Sequence, residues 1–158
     1  MNGAFLHLAL NHIPVVGMPF CFLLLLVGVC RKSQELTSAG LAALVLVALI
    51  TILTFRSGGP AARVVRNYPG IERALIHNHA EAADDIFWSV EILGAAALMG
   101  LWFSRRWGVV PKWLVGLVML GALVASGWLG WVAHLGGLIR HPESAFGAAA
   151  PPSPVIPH

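Results

Sequence analysis

Charge is in short supply: 10 Lys and Arg with 7 Asp and Glu make 11% of 158 residues, where an ordinary soluble domain carries about 25%. With 58% apolar residues and a mean hydropathy of +0.79, water cannot be the main solvent of this chain. Cysteine is scarce as well. Cys21 and Cys30 fall in one apolar run, too far apart along a helix to be bridged, so a disulfide scaffold is excluded and both read as packing residues. No Cys-x-x-Cys-His motif occurs, which excludes covalent c-type haem attachment. There is no nucleophile or thiolate metal motif, and Ser57-Gly58-Gly59-Pro60 lacks the lysine and the strand-to-helix context of a phosphate loop. Hydrolytic and phosphoryl-transfer chemistry is therefore unsupported. The basic residues are spread over several short segments and build no basic face, so nucleic acid is excluded as a partner despite a net charge of +3 and a pI of 9.4.

What the chain does have is long uncharged runs: 1–30, 36–55, 86–103 broken only by Glu91, and 113–139. About 20 residues at about 1.5 Å rise cover a hydrocarbon core of about 30 Å, so each run can cross a bilayer. The reading is an all-α integral membrane four-helix bundle, residues 1–143, with spans near 5–30, 36–55, 85–103 and 113–139. The Pro/Ala-rich tail 144–158 cannot bury a core. The first basic residue is Arg31, so the positive leader of a secretory signal is missing and helix one is expected to be retained. Four spans put both termini on one side. The short connections carry Arg31, Lys32, Arg105, Arg106 and Lys112 beside Glu35, whereas Glu72, Glu81, Asp84 and Asp85 dilute the arginines of the longer loop. The positive-inside rule then places the termini outside, in the periplasm, and the chain in a bacterial cytoplasmic (inner) membrane as a multi-pass protein.

Local signals divide the spans further. Pro14 and Pro19 either kink helix one or make it begin near Pro14. Helix two, without an ionisable group, reads as a plain structural span. Ser57-Gly58-Gly59-Pro60 reads as a turn, 61–67 as a short interfacial helix, Tyr68-Pro69-Gly70 as a break, and from Ile71 a helical pattern runs into span three.

On this topology His7, His12, His77, His79, His134 and His141 all fall in the outer half or at its surface. An imidazole in that position needs a hydrogen-bond partner or a metal. At about 100° per residue, Gly116, Leu120, Leu123, Gly127, Gly130, Trp131, His134, Gly137 and His141 share one face of span four, which serves helix packing or gives a porphyrin room. Antiparallel depth counting matches His7 with His141 and His12 with His134. Imidazoles from different helices at one depth are the geometry that grips a macrocycle axially or builds a nitrogen-rich metal site. Arg140 is placed to pair with a haem propionate or to anchor the interface. On span three, His77, Glu81, Asp84, Trp88 and Glu91 form one stripe, with His79, Ala83, Ile86 and Val90 opposite. Glu91 is costly facing lipid, which makes it a candidate proton or quinone site.

The segments His7-Leu8-Ala9-Leu10-Asn11-His12-Ile13-Pro14, Ser57-Gly58-Gly59-Pro60-Ala61, Ile76-His77-Asn78-His79-Ala80-Glu81-Ala82-Ala83 and His134-Leu135-Gly136-Gly137-Leu138-Ile139-Arg140-His141-Pro142-Glu143 carry a resemblance. The chain resembles uncharacterised four-helix bacterial membrane proteins, a domain of unknown function sometimes fused to Rieske iron–sulfur domains. The likeness runs roughly from Leu6 to Glu143. Family members have Thr-Gly-Glu where this chain has Ser57-Gly58-Gly59 and His-Glu where it has His79-Ala80. The resemblance implies matching histidines at His7, His12, His79, His134 and His141, and redox work by analogy.

The function expected is a redox subunit rather than a self-contained enzyme: a membrane electron-transfer protein binding one b-type haem and exchanging electrons between quinone and an outer redox partner. Cofactor binding is expected from His12, His134, His79, His141, His7 and Arg140, with His12 and His134 the best-matched pair. The alternatives are a copper, iron or zinc site on His12, His134, His79 and His141 with Glu81 or Glu143, and a non-catalytic scaffold subunit. Expected partners are membrane lipid, quinone and other membrane or periplasmic redox subunits.

Overall fold

The computed structural model describes residues 3–68 and 70–141, so the tail 144–158 and any role of Glu143 lie outside the described residues. Four helices make up nearly all of them: α1 Gly3–Cys30, α2 Gln34–Val65, α3 Arg73–Trp107 and α4 Lys112–Leu138. α2 and α4 each pack against both α1 and α3, which is an all-α, up-down-up-down four-helix bundle. The α1–α2 and α3–α4 connections meet at one end, the turn end. The start of α1, the end of α4 and the α2–α3 connection share the other, the terminal end. Each helix is long and apolar enough to cross a membrane.

The turn end is built from conventional capping chemistry. Ser33 caps α2, its Oγ accepting from the Leu36 N–H at 3.2 Å, and Gly108 stops α3 in the left-handed region at φ 74°. The Val110 N–H donates to Gln34 Oε1 at 3.2 Å and the Ser38 and Ser104 hydroxyls meet at 2.9 Å, which ties the two turns together.

Alternating three- and four-residue spacing sets each inner face: Met18, Cys21 and Leu25 on α1; Leu41, Leu44, Ala48 and Thr51 on α2; Ile86, Val90, Leu93 and Ala97 on α3; Val115, Val118, Ala122, Ala125, Leu129 and Val132 on α4. Gly94 lets α3 approach α2 closely, since a Cβ there would lie 2.5 Å from Ala48 Cβ. Polarity changes along the axis. The turn half is lined by Met18, Leu25, Leu41, Leu44 and Leu114 with Thr37 as its buried hydroxyl, whereas the terminal half buries Thr51, Thr54 and Ser57. Their hydroxyls donate to the carbonyls of Val47 at 2.8 Å, Ile50 at 3.0 Å and Thr54 at 2.7 Å. Outside, Trp88, Ile92 and Phe5 are 69%, 67% and 65% exposed, the apolar exterior that a soluble bundle avoids.

Three local expectations change. α1 is helical from the first described residue, Gly3, through both Pro14 and Pro19, so helix one does not start near Pro14. α2 runs straight through Ser57-Gly58-Gly59-Pro60 to Val65, where a turn and a separate interfacial helix were expected. Pro60 removes one donor from the helix ladder, but Ser57 and Ala61 are buried against the bundle and tertiary packing outweighs the turn signal. Finally, the glycine face of span four is turned outward. Added Cβ atoms at Gly116, Gly127, Gly130 and Gly137 meet nothing within 4 Å, and Leu120, Leu123 and Trp131 are more than half exposed at 62%, 52% and 54%. The bulkier Val118, Leu129 and Val132 hold the interior instead.

Candidate functional site

The terminal half of the bundle interior collects the polar side chains that the helices turn inward. On α1, His7 and Asn11 extend the inner stripe that Pro14, Met18, Cys21 and Leu25 occupy deeper down. His7 Nδ1 lies 3.0 Å from the Thr54 carbonyl and 3.1 Å from Ser57 Oγ on α2. A carbonyl can only accept, so Nδ1 carries a proton and Nε2 is the ring nitrogen left for another partner. Ser57 supports the arrangement: its hydroxyl proton is spent on Thr54, which leaves its oxygen free to accept from His7.

His79 does the same from the opposite side. It sits on the inner stripe of α3, about two and four turns above Ile86 and Leu93, and its Nδ1 donates to the Val132 carbonyl of α4 at 3.0 Å. Gly136 gives the ring its place, because a Cβ there would stand 3.1 Å from His79 Cε1. At Gly58 a Cβ would stand 3.5 Å from His7 Cε1, an ordinary contact, so no glycine is required under His7. Gly136 therefore makes room for an imidazole itself.

The two rings come from diagonal helices and meet between the other two, centroids 6.3 Å apart and planes at 82°. Each Nδ1–H is held by a backbone carbonyl, the supporting contact that orients ligating histidines and leaves Nε2 as the donor. Two imidazoles on one metal, each bond about 2.0–2.1 Å, place their centroids about 5–6.5 Å apart. Among the described residues no group of three or more His, Cys, Asp or Glu could hold a metal ion. A two-nitrogen set fits a centre that brings its own equatorial ligands, as a b-type haem does, better than an ion needing three or four protein donors. Asn11 adds a carbonyl oxygen, Oδ1, buried and without a hydrogen-bond partner, one turn from His7.

The other expected site residues are dispersed. His12 is exposed and donates through Nδ1 to the Leu8 carbonyl of its own helix at 2.9 Å, so it is not on the axis. One residue past Asn11, it is rotated about 100° off the inner stripe. His134 is partly buried, with its ring 5.5 Å from that of Trp131 on the outward face of α4. His77 and His141 are exposed. Arg140 lies over the Tyr68 ring at 5.6 Å, a cation–π contact between the end of α4 and the α2–α3 connection. The His79 bond to Val132 puts the pair more than one turn deeper along α4 than His141, the level that counting gave His7. Sequence reasoning missed Thr54 and Ser57, having read α2 as purely structural. The signal was present: Thr51, Thr54 and Ser57 recur every three residues along one side of an otherwise apolar helix.

Glu91 does not face the axis. It lines a groove of about 460 Å³ between α2 and α3 with Ile52, Phe55, Arg56, Phe87 and Trp88, and its Oε1 is buried without a hydrogen-bond partner. Glu81 is exposed in a second groove between α3 and α4, beside Asn78, Asp85, Trp128 and Trp131. No family model, curated protein or solved structure matches the chain.

Proposed function

We propose that this chain is a multi-pass membrane protein of a bacterial inner membrane, termini in the periplasm, that carries one b-type haem between His7 and His79 and acts as an electron-transfer subunit between quinone and a periplasmic-side redox partner. Four helices of spanning length and the apolar exterior support membrane insertion. The observation that carries the haem reading is the ring pair: 6.3 Å between centroids on diagonal helices, with both Nδ1–H groups tied to carbonyls. A bound haem would supply one-electron redox chemistry. The chain's own part is to hold two imidazoles by their Nδ1–H groups, His7 on the Thr54 carbonyl and the Ser57 hydroxyl, His79 on the Val132 carbonyl. The resemblance to Rieske-associated membrane proteins points the same way by analogy.

The same hydrogen bonds also suit a scaffold, since His7 ties α1 to α2 and His79 ties α3 to α4. A pyridine haem assay with elemental analysis on the detergent-purified chain separates the readings. One haem per chain, lost in His7→Gln and His79→Gln, is the expected result. A colourless preparation with one bound transition metal per chain favours an ion site, and a colourless, metal-free one favours the scaffold.

A further inference from the structure

The groove between α2 and α3 has a character the histidine pair does not explain. Its floor is aromatic: Phe55 and Phe87 stack with centroids 4.2 Å apart at 22°, and Trp88 meets Phe87 edge-on at 5.3 Å and 71°. Its charged side chains are two, Arg56 from α2 and Glu91 from α3. Glu91 Oε1 is buried and unpartnered, so Arg56 does not satisfy it, and an orphaned carboxyl oxygen in an apolar wall calls for a donor from outside the chain. The groove opens on the apolar exterior, where Trp88, Phe55, Leu53 and Ile92 are 69%, 39%, 56% and 67% exposed. Its visitor therefore arrives from hydrocarbon. At about 460 Å³ it lies in the size range of small-molecule sites, about 300–1,000 Å³.

We propose that this groove binds the head of an isoprenoid quinol: the planar ring lies against Phe87 and Trp88, one hydroxyl donates to Glu91 Oε1, and the oxygen across the ring accepts from Arg56. A flat ring matches the stacked aromatic wall. Two oxygens on opposite edges match an acceptor and a donor contributed by two helices, and an isoprenoid tail matches the apolar approach. Glu91 lies 12 residues beyond His79 on α3, about 18 Å along the axis, while on α2 the groove's Phe55 and Arg56 sit between Thr54 and Ser57, which hold His7, so the two sites adjoin without sharing a residue. The inference deepens the electron-transfer reading at its quinone end.

The test uses the full chain in quinone-free phosphatidylcholine nanodiscs and equilibrium dialysis of a benzoquinol and a naphthoquinol bearing one isoprene unit. Saturable binding of one quinol per chain is expected, weakened at least tenfold by Glu91→Leu and severalfold by Arg56→Gln, and unchanged by Trp131→Leu in the other groove. Helicity by circular dichroism checks that each variant is folded. Should Glu91→Leu not fold, Glu91→Gln and a photoreactive azidoquinone replace it, with label expected on peptides containing 52–56 and 87–91. The proposal is overturned by no binding above empty nanodiscs, by equal binding by folded Glu91→Leu, or by label confined to other helices. Phosphatidylethanolamine that binds saturably through Glu91 where quinol does not would assign the groove to a lipid headgroup, and overturns it too. The assay needs no haem. A colourless chain that binds quinol refutes the haem and keeps the groove, and a haem-loaded chain blind to quinol does the reverse.

Discussion

Replacing His79 separates a ligand from a structural link. His79→Ala removes the Nδ1–H bond to the Val132 carbonyl at 3.0 Å. Because Val132 lies inside α4, its carbonyl keeps the bond from the next turn of its own helix, so no buried acceptor is orphaned and the full desolvation penalty does not apply. The loss is one interhelical hydrogen bond, about 0.6 kcal/mol on average and at most about 1.7 between membrane helices. Shrinking a half-buried ring beside Gly136 adds a void, which brings the expected total to about 1–3 kcal/mol. His79→Gln retains an N–H donor for Val132 and is expected to recover most of that stability, yet it offers no imidazole nitrogen. Reversible unfolding in mixed micelles followed by circular dichroism, read beside haem content, gives the comparison. Stability restored by Gln with haem still lost is the expected outcome. Haem retained in the Gln variant with an unaltered spectrum would refute the ligand role of His79.

Other substitutions test neighbouring steps of the reasoning. His12→Ala removes only an exposed bond within α1 and is expected to shift stability by less than about 0.5 kcal/mol and haem content not at all; spectral change in this variant would move the site off the axis. Gly94→Ala introduces a Cβ that would stand 2.5 Å from Ala48 Cβ, and is expected to cost about 1–3 kcal/mol in the same unfolding assay, against no measurable cost for Gly116→Ala on the outward face. Gly136→Ala is expected to leave the fold intact while pushing the His79 ring by a few tenths of an ångström, since its Cβ would lie 3.1 Å from Cε1; a shifted Soret band at unchanged helicity checks it.

The helices were legible because hydrophobic length alone decides them: the four runs map onto α1 to α4, and the opposition of His79, Ile86 and Val90 to the Glu91 stripe on α3 holds in the bundle. The ends were less so. Ser57-Gly58-Gly59-Pro60 carries every local mark of a turn, and only the burial of Ser57 and Ala61 against other helices keeps α2 going. The pairing of histidines was hidden for a related reason. Depth counting treats every residue of a turn alike, but which imidazole points inward depends on phase. His7 is in register with Met18 and Leu25, whereas His12 is one step out of it. For α4 the periodicity was read correctly and its direction was not, because glycines suit an interior or an exterior face equally well and only the larger neighbours Val118, Leu129 and Val132 decide between them. The contribution of α2 to the site comes through a backbone carbonyl and a hydroxyl, groups that a search for ionisable residues passes over.

Low-temperature electron paramagnetic resonance of the oxidised, purified chain probes the His7–His79 pair most directly. Imidazole planes at 82° to each other lead to a strongly anisotropic low-spin ferric signal, expected in the wild type and in His12→Ala and replaced by a high-spin signal or none in His7→Gln. A preparation without any low-spin ferric signal, or one whose signal survives the loss of His7 unchanged, would contradict the account.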